Sequence, residues 1–323
     1  MRRGTVALWV PLLALLAAAL PVTAVRLLEP EAGPAVRLVA FTPVALPAYA
    51  VVLGVALPAL LRRRGVRSPL IVLSLVAALG LGLHAWWFAP MVLGPNPPPS
   101  SEADPFVVVT ANIYGGEGDV VELVRLVSSE RADLLVVAEA NSATVERMES
   151  AGLEQVLPHR TGAPADGLGG TVVFAREPVT GERQLDTRLG GWRVEVSGLT
   201  LLAVHPMAPT DEAAWRADHA TIRAEASARG ADLVVGDLNA TLDHAVLRRL
   251  LDVGYRDAAE LANAGWQPTW PANGLFEVLG VPLPTLAAID HVLVGERLAV
   301  LGTRTVELAG TDHRVLVAEL AAK

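Results

Sequence analysis

The sequence predicts a mixed α/β domain of about 220 residues carried behind three membrane-spanning helices. Three observations lead there. The first hundred positions hold three long apolar stretches almost free of charge. From Phe106 onward, short β-branched runs alternate with amphipathic segments. Several of those runs begin or end on a carboxylate, amide or imidazole, which buried strands rarely do without a reason. At 323 residues and 52% hydrophobic, the chain is too long and too apolar for one ordinary soluble domain.

The apolar stretches run from Thr5 to Val25, Val36 to Leu61 and Pro69 to Leu93, each long enough to cross about 30 Å of hydrocarbon as a helix. Pro11, Pro21, Pro43, Pro47 and Pro58 would break helices in water but are tolerated among neighbouring helices in a bilayer. Trp86, Trp87 and Phe88 give the third stretch an aromatic end. Arg2 and Arg3 precede the first stretch, and Arg62, Arg63, Arg64 and Arg67 lie between the second and third. By the positive-inside rule both sets face the cytoplasm, so everything after Leu93 lies outside. The expectation is a multi-pass protein of the cell membrane with a cytoplasmic N-terminus and an extracytoplasmic C-terminal domain. A competing reading makes the first stretch a cleaved signal peptide ending near Val22-Thr23-Ala24, which leaves that domain on the same side. His84, inside the third stretch, has no evident partner and reads as structural. Residues 1–93 are then a three-span anchor in membrane lipid and 94–103 a stiff Pro-rich linker. Residues 104–323 form the C-terminal domain.

Eight Arg and three Glu fall in the first 103 residues, which leaves 18 basic against 31 acidic residues in the remainder. An acidic domain does not advertise a groove that tracks a nucleic-acid backbone. The absence of cysteine excludes disulfides, thiolate catalysis and Cys-type zinc sites.

Within the domain, Asp119 can cap a helix through Val120, Val121, Leu123, Val124 and Val127. A second helix is expected from Asp211 toward Arg229, and a third after Asp243 through Leu247, Leu250 and Leu251. Glycines at Gly115-Gly116 and 167–170 mark loops, the second leading into the strand TVVFAR.

The polar strand ends carry the chemistry. Glu139 closes LLVVA and is followed by Asn141; a carboxylate at the mouth of a sheet suits magnesium or manganese, though a capping or ion-paired role is the plain alternative. Asn112 ends the first run before a Gly-rich loop and is equally a turn cap. In Gly236-Asp237-Leu238-Asn239 the period of two sends Asp237 and Asn239 to one side, and Gly236 permits close backbone approach. There a carboxylate can prepare water while an amide donates to phosphate. Asp290 and His313 are a plausible pair, since a working histidine needs a carboxylate to fix its tautomer and orientation. His291 points away from Asp290 and reads as structural. His205, ending LLAVHP, is a candidate phosphate donor. His159, His219 and His244 lack a matching partner and read as solvated. Trp270 in Pro268-Thr269-Trp270-Pro271 either lines a pocket or plugs a loop.

In order along the chain, TANIYGG, VVAEAN, GGTVVFAR, AVHPMAP, VVGDLNAT, AAIDHVLV and GTDHRVLVAEL resemble the motif set of the endonuclease/exonuclease/phosphatase family. The resemblance covers essentially all of 104–323. It implies a four-layer α/β (α+β) sandwich, two packed β-sheets flanked by helices, with a magnesium-dependent phosphoesterase site at one end. By motif, Asn112 and Glu139 resemble its metal-site residues, with Asp312 a further carboxylate near the metal. His205 resembles the histidine on the scissile phosphate. Asp237 and Asn239 resemble the Asp that positions water and the Asn that holds phosphate, and Asp290 and His313 the Asp–His pair. Two departures matter: Ala138 precedes Glu139 where the family usually has Gln, and VHPMAP replaces a common Thr-His-Leu sequence. VHPMAP, PTWP and the three-span anchor resemble a bacterial membrane-bound branch.

The expected activity is hydrolysis of a phosphodiester or phosphomonoester, with nucleic acid, nucleotide, inositol phosphate and phospholipid all open as substrates and no protein partner indicated. The rival class is a non-catalytic binding module that retains the fold.

Overall fold

The structure, a computed structural model, describes residues 3–62 and 68–323. The chain forms two compact units that divide between Pro90 and Met91.

In the first unit three helices, α1 (Arg3–Leu28), α2 (Pro34–Arg62) and α3 (Ser68–Phe88), are each long and apolar enough to cross a membrane. α3 is interrupted at Ala89, before Pro90, where the helical region is disfavoured, and a single further turn of helix, Pro90–Leu93, reaches the expected Leu93. Leu16, Tyr49, Val52, Leu73 and Ala77 pack between the helices. A Cβ on Gly80 would sit 2.5 Å from the Tyr49 ring, so a glycine is needed where α2 and α3 meet. His84, read from sequence as unpartnered, shares a hydrogen bond of 2.9 Å with the Thr23 hydroxyl, which also bonds Tyr49 at 2.7 Å. The partner lies on a different helix, where the periodicity of a single stretch cannot reveal it.

The second unit is a sandwich of two mixed β-sheets. One sheet holds β1 (Phe106–Asn112), β2 (Leu134–Ala138), β3 (His159–Ala163) and β4 (Thr171–Ala175), with β13 (Leu298–Val306) and β14 (Val315–Ala322), in the order β13-β14-β1-β2-β4-β3. The other holds β5 (Thr180–Gln184), β6 (Gly191–Val196), β7 (Leu199–Val204), β8 (Leu233–Asp237), β9 (Arg256–Asp257) and β12 (Asp290–Val294), in the order β5-β6-β7-β8-β12-β9. Only β1/β2 and β7/β8 pair in parallel; the other pairs are antiparallel. A two-residue ladder, β10 (Glu277–Val278) and β11 (Val281–Pro282), stands apart.

The period of two sorts the side chains. Val108, Val136, Val173, Leu201, Val235 and Val292 meet between the sheets, while their neighbours Val109, Leu135, Val137 and Val172 face helices α4 (Val120–Ser129) and α5 (Ser142–Ser150). Both helices are capped from the side chain. Asp119 accepts from Val121 and Glu122 N–H at 3.0 Å, and Asn141 accepts from Thr144 N–H at 2.9 Å. Helices α6 (Glu212–Arg229) and α7 (Ala245–Leu251) pack together on the outside of the second sheet.

His219 and His244 depart from the solvated role expected of them. Both are buried, flanking the Trp215 ring at 5.3 and 5.5 Å between α6 and α7. His219 Nε2–H donates to the Leu238 carbonyl at 3.0 Å, and burial pushes its pKa from 6.5 down to about 3. The fold therefore favours the neutral ring, and the unfolded chain binds one more proton between pH 6.5 and about 3. Stability is full above the unfolded value and falls as pH drops through this window. His219→Gln keeps a donor toward Leu238 and removes the titration. It should flatten the acid limb of stability against pH by about 1.4 kcal/mol per pH unit, measured by urea unfolding at stepped pH; an unchanged limb would assign acid sensitivity elsewhere.

Candidate active site

Strand parity delivers most of the site. Asn112, His205, Asp237 and Asp290 continue the inward-facing sets of β1, β7, β8 and β12, so their side chains leave the apolar core at one end of the sandwich. All four are buried. Glu139 is the exception: one step past Ala138 in β2, parity alone would turn it toward the helices. Its φ of 59° bends the chain, a conformation uncommon outside glycine and asparagine, and its carboxylate joins the others. Asn239, which parity already turns the same way as Asp237, also has a positive φ, 48°. Gly236 sits where a Cβ would lie 2.0 Å from the Val204 carbonyl oxygen, which brings Asp237 close to the end of β7, just before His205.

Asn112 ties the two halves together. Its Nδ2 donates to Glu139 Oε1 and to Asp237 Oδ2, both at 3.0 Å, while its Oδ1 accepts from Tyr114 N–H at 3.0 Å. Glu139 Oε2 accepts from Gly115 N–H at 2.8 Å, so the Gly-rich loop closes over the carboxylate. Asp237 Oδ2 faces His205 Nε2 at 3.6 Å and His313 Nε2 at 3.7 Å, one imidazole on either side. Asn239 N–H donates to Asp237 Oδ1 at 2.8 Å, and its amide spends one proton on Pro206 O at 3.1 Å. An asparagine amide has two protons, so one is left for a ligand.

Asp290 and His313 form the expected pair, Nδ1–H donating to Oδ2 at 2.8 Å. Thr269 Oγ1 accepts from the N–H groups of Ile289 and Asp290 at 3.2 Å, and Thr311 Oγ1 accepts from His313 N–H at 3.1 Å. Thr311 in turn donates to Asn112 O at 2.8 Å, which joins the His313 loop to β1. Asp312 and His313 precede β14 in this loop rather than opening the strand. Trp270 has a bond that neither expected role named: its Nε1–H donates to Asp312 Oδ2 at 2.9 Å. His291 is structural as expected. Both ring nitrogens face acceptors, Asp257 Oδ2 at 2.7 Å and Ala240 O at 2.9 Å; burial lowers its pKa, but the bond and charge of Asp257, with Ala240 O and Asp290, together raise it.

The electrostatics are crowded. Burial, then the nearby Asp290 charge, pushes the Asp237 carboxyl up. Burial likewise raises Glu139. Against the upward push of burial, the His313 charge and hydrogen bond hold Asp290 low. Burial alone would lower His313, but Asp290 and Asp237 overcome it and hold the imidazole at about 10, a cation at neutral pH. Four buried carboxylates, those of Glu139, Asp237, Asp290 and Asp312, thus share two histidines. Asp290 Oδ1, Asp312 Oδ1 and His205 Nδ1 have no hydrogen-bond partner although all are buried. Asp237, Asp290 and His313 place ligand-type atoms within 4.8 Å of one another. Such an oxygen-rich, negatively charged cluster with open acceptors fits a hard divalent cation.

Sequence reasoning missed the backbone N–H of Gly115, the hydroxyls of Thr269 and Thr311, and the buried Thr171, whose Oγ1 has no partner. Only Thr311 had a legible signal, since a threonine two residues before a histidine can close a small side-chain turn.

None of the curated proteins matches this sequence. Solved structures share its fold at low identity. The Neisseria 3′ phosphatase NExo bound to a product DNA hairpin is 17% identical with a TM-score of 0.54, over 66% of this chain and 98% of that one. D. rerio TDP2 complexed with a single-strand DNA product is 14% identical with a TM-score of 0.53, over 67% of this chain and 99% of that one. An AP endonuclease from Archaeoglobus fulgidus is 14% identical with a TM-score of 0.51, over 66% and 98%. The model of the Endonuclease/Exonuclease/phosphatase family matches residues 109–313, a stretch that begins in β1, ends at His313 and contains every strand-end residue of the site. With well over half its length so matched, the chain belongs to the endonuclease/exonuclease/phosphatase family.

Proposed function

We propose that this chain is a membrane-anchored, metal-dependent phosphoesterase that cleaves a phosphodiester or phosphomonoester by in-line attack of water. The observation that carries the reading is the convergence of Glu139, Asp237, Asp312 and the Asp290–His313 pair on one buried end of the sandwich, with open carboxylate oxygens among them. Glu139 and Asp312, with Asn112 hydrogen-bonded to Glu139 through its amide nitrogen, are the residues that would hold magnesium or manganese. When bound, the ion neutralises charge on the phosphoryl group and sharpens its electrophilicity.

The remaining roles follow from donor and acceptor chemistry. Asp237, raised by burial toward a more basic carboxylate, accepts the proton of the attacking water. Asn112 positions it through the shared amide bond. His205 Nε2 and the second amide proton of Asn239 donate to phosphate oxygen without adding negative charge. Asp290 orients the His313 imidazolium by accepting from Nδ1–H, which leaves Nε2–H to stabilise the charge that develops on the phosphorane or the leaving oxygen. The arginine pattern of the first 67 residues supports a site outside the cytoplasm.

The test uses the purified full chain. At magnesium concentrations near 100 Kd the folded state should gain about 2.7 kcal/mol, read as a rise in Tm that a chelator reverses. The loaded protein should hydrolyse bis-para-nitrophenyl or para-nitrophenyl phosphate while Glu139→Ala does not. A chain with neither response is the non-catalytic module instead. DNA, RNA, nucleotides, inositol phosphates and phospholipids then sort the substrate; a nuclease gripping several phosphates loses activity steeply with salt.

A further inference from the structure

Between the short helix α8 (Ala258–Leu261) and β12, the chain leaves the body of the domain as a finger. Its stem is pinned beside the site. Trp270 N–H donates to Ala287 O at 2.9 Å, and Ala287 N–H donates back to Trp270 O at 2.8 Å. Ala272 N–H donates to Asp312 O, and Asn273 Nδ2 to the carbonyls of Leu308 and Thr311, all at 2.7 Å. The Trp270 ring packs on Phe276 with centroids 5.1 Å apart.

Beyond the stem, β10 and β11 pair around the turn Leu279-Gly280. Leu275, Phe276, Val278, Leu279 and Val281 are all exposed here, Leu279 at 99%. Elsewhere in the sandwich, exposed large apolar residues such as Val121, Leu168, Val253 and Leu301 stand singly, which is ordinary for a surface. A contiguous apolar tip is not. The turn sharpens the point: Leu279 and Gly280 both have positive φ, 53° and 74°, where hairpin turns favour Asn-Gly. Leucine there carries backbone strain and full hydrophobic exposure together, and asparagine would relieve both.

The occupant follows from the chain itself. From Pro271 to Ile289 the only charge is Glu277, so the finger offers nothing to a phosphate backbone or an anionic patch. The same chain carries three membrane-length helices, and a Pro-rich linker of about ten residues reaches only about 30 Å. We propose that the finger, residues 275–283, is a membrane-contacting element that seats Leu279 and its neighbours in the interfacial layer of a lipid bilayer. This rests on the membrane-anchored reading above and deepens it. The stem bonds join the bilayer contact to Asp312, so the site works at the lipid surface.

The sequence has no cysteine, so a single label can be placed at will. The full chain carrying Leu279→Cys, labelled with an environment-sensitive fluorophore and reconstituted into phosphatidylcholine vesicles containing doxyl lipid, should be strongly quenched. The same label at Val253→Cys should not. A Val281→Cys label should lose its quenching when Leu279→Asn is added, while hydrolysis of soluble bis-para-nitrophenyl phosphate by Leu279→Asn stays at the parent level. Absent quenching at 279, or equal quenching at 253, overturns the finger assignment even if hydrolysis is intact. Quenching at 279 in a chain that hydrolyses nothing leaves the finger standing and overturns the phosphoesterase reading.

Discussion

His313→Ala is expected to lower kcat by about 10² to 10⁴-fold, the usual loss for a positioned proton-transfer or charge-stabilising group. The ring is held at Nδ1 by Asp290 and faces Asp237 with Nε2, and it is a cation among carboxylates. Its removal strands Asp290 in a buried setting, and breaking a buried charge pair from one side costs about 3–5 kcal/mol. The activity must therefore be measured on protein whose circular dichroism shows it folded. His313→Gln keeps a donor and most of the volume and should retain the fold better with the same kinetic loss. Near-parent kcat in the folded fraction of both variants would remove His313 from the chemistry.

Glu139→Gln separates catalysis from stability. The carboxylate is uncomfortable where it lies, raised by burial and by Asp237, so losing its charge is a gain. An amide has one acceptor oxygen where Glu139 uses two, toward Asn112 and Gly115, so one donor loses its partner, at a cost of about 1 kcal/mol. The two effects offset, and the metal-free variant should unfold within about 1 kcal/mol of the parent. Turnover should nonetheless fall about 10³-fold, as when charge stabilisation is lost from a reacting site, and the rise of Tm with magnesium should vanish. A variant that unfolds as the parent does and still gains stability from magnesium would move the metal away from Glu139.

Much of the site was legible because it obeys the period of two. Val108 to Asn112, Leu201 to His205, Leu233 to Asp237 and Asp290 to Val294 each send alternate residues to one face, so the polar end of each run declared itself. The ordered motifs then selected the two-sheet architecture, which no periodicity can do. Glu139 was found as the polar end of an apolar run, and again by its motif, although parity would have turned it away. Its positive φ depends on the Gly115 amide and the β1–β2 pairing that surround it. His219 and His244 were misread because burial on a helix depends on which face its neighbour covers. α6 and α7 meet across a Trp215 that neither helix reveals alone.

By itself the sequence determined the apolar helices, the strand runs, the cap at Asp119, the start of a helix at Asp211 and the Asp290–His313 partnership. These are local or ordered features, set by side-chain period, turn chemistry and spacing along the chain. Only the tertiary structure decided that one Asn112 amide bridges Glu139 and Asp237. It also decided that Trp270 holds Asp312 and that Thr23 answers His84. It alone exposed Leu279 at the tip of a finger rooted beside the site. Each of these joins residues far apart in sequence, and such contacts follow from how sheets and helices stack, which no window along the chain contains.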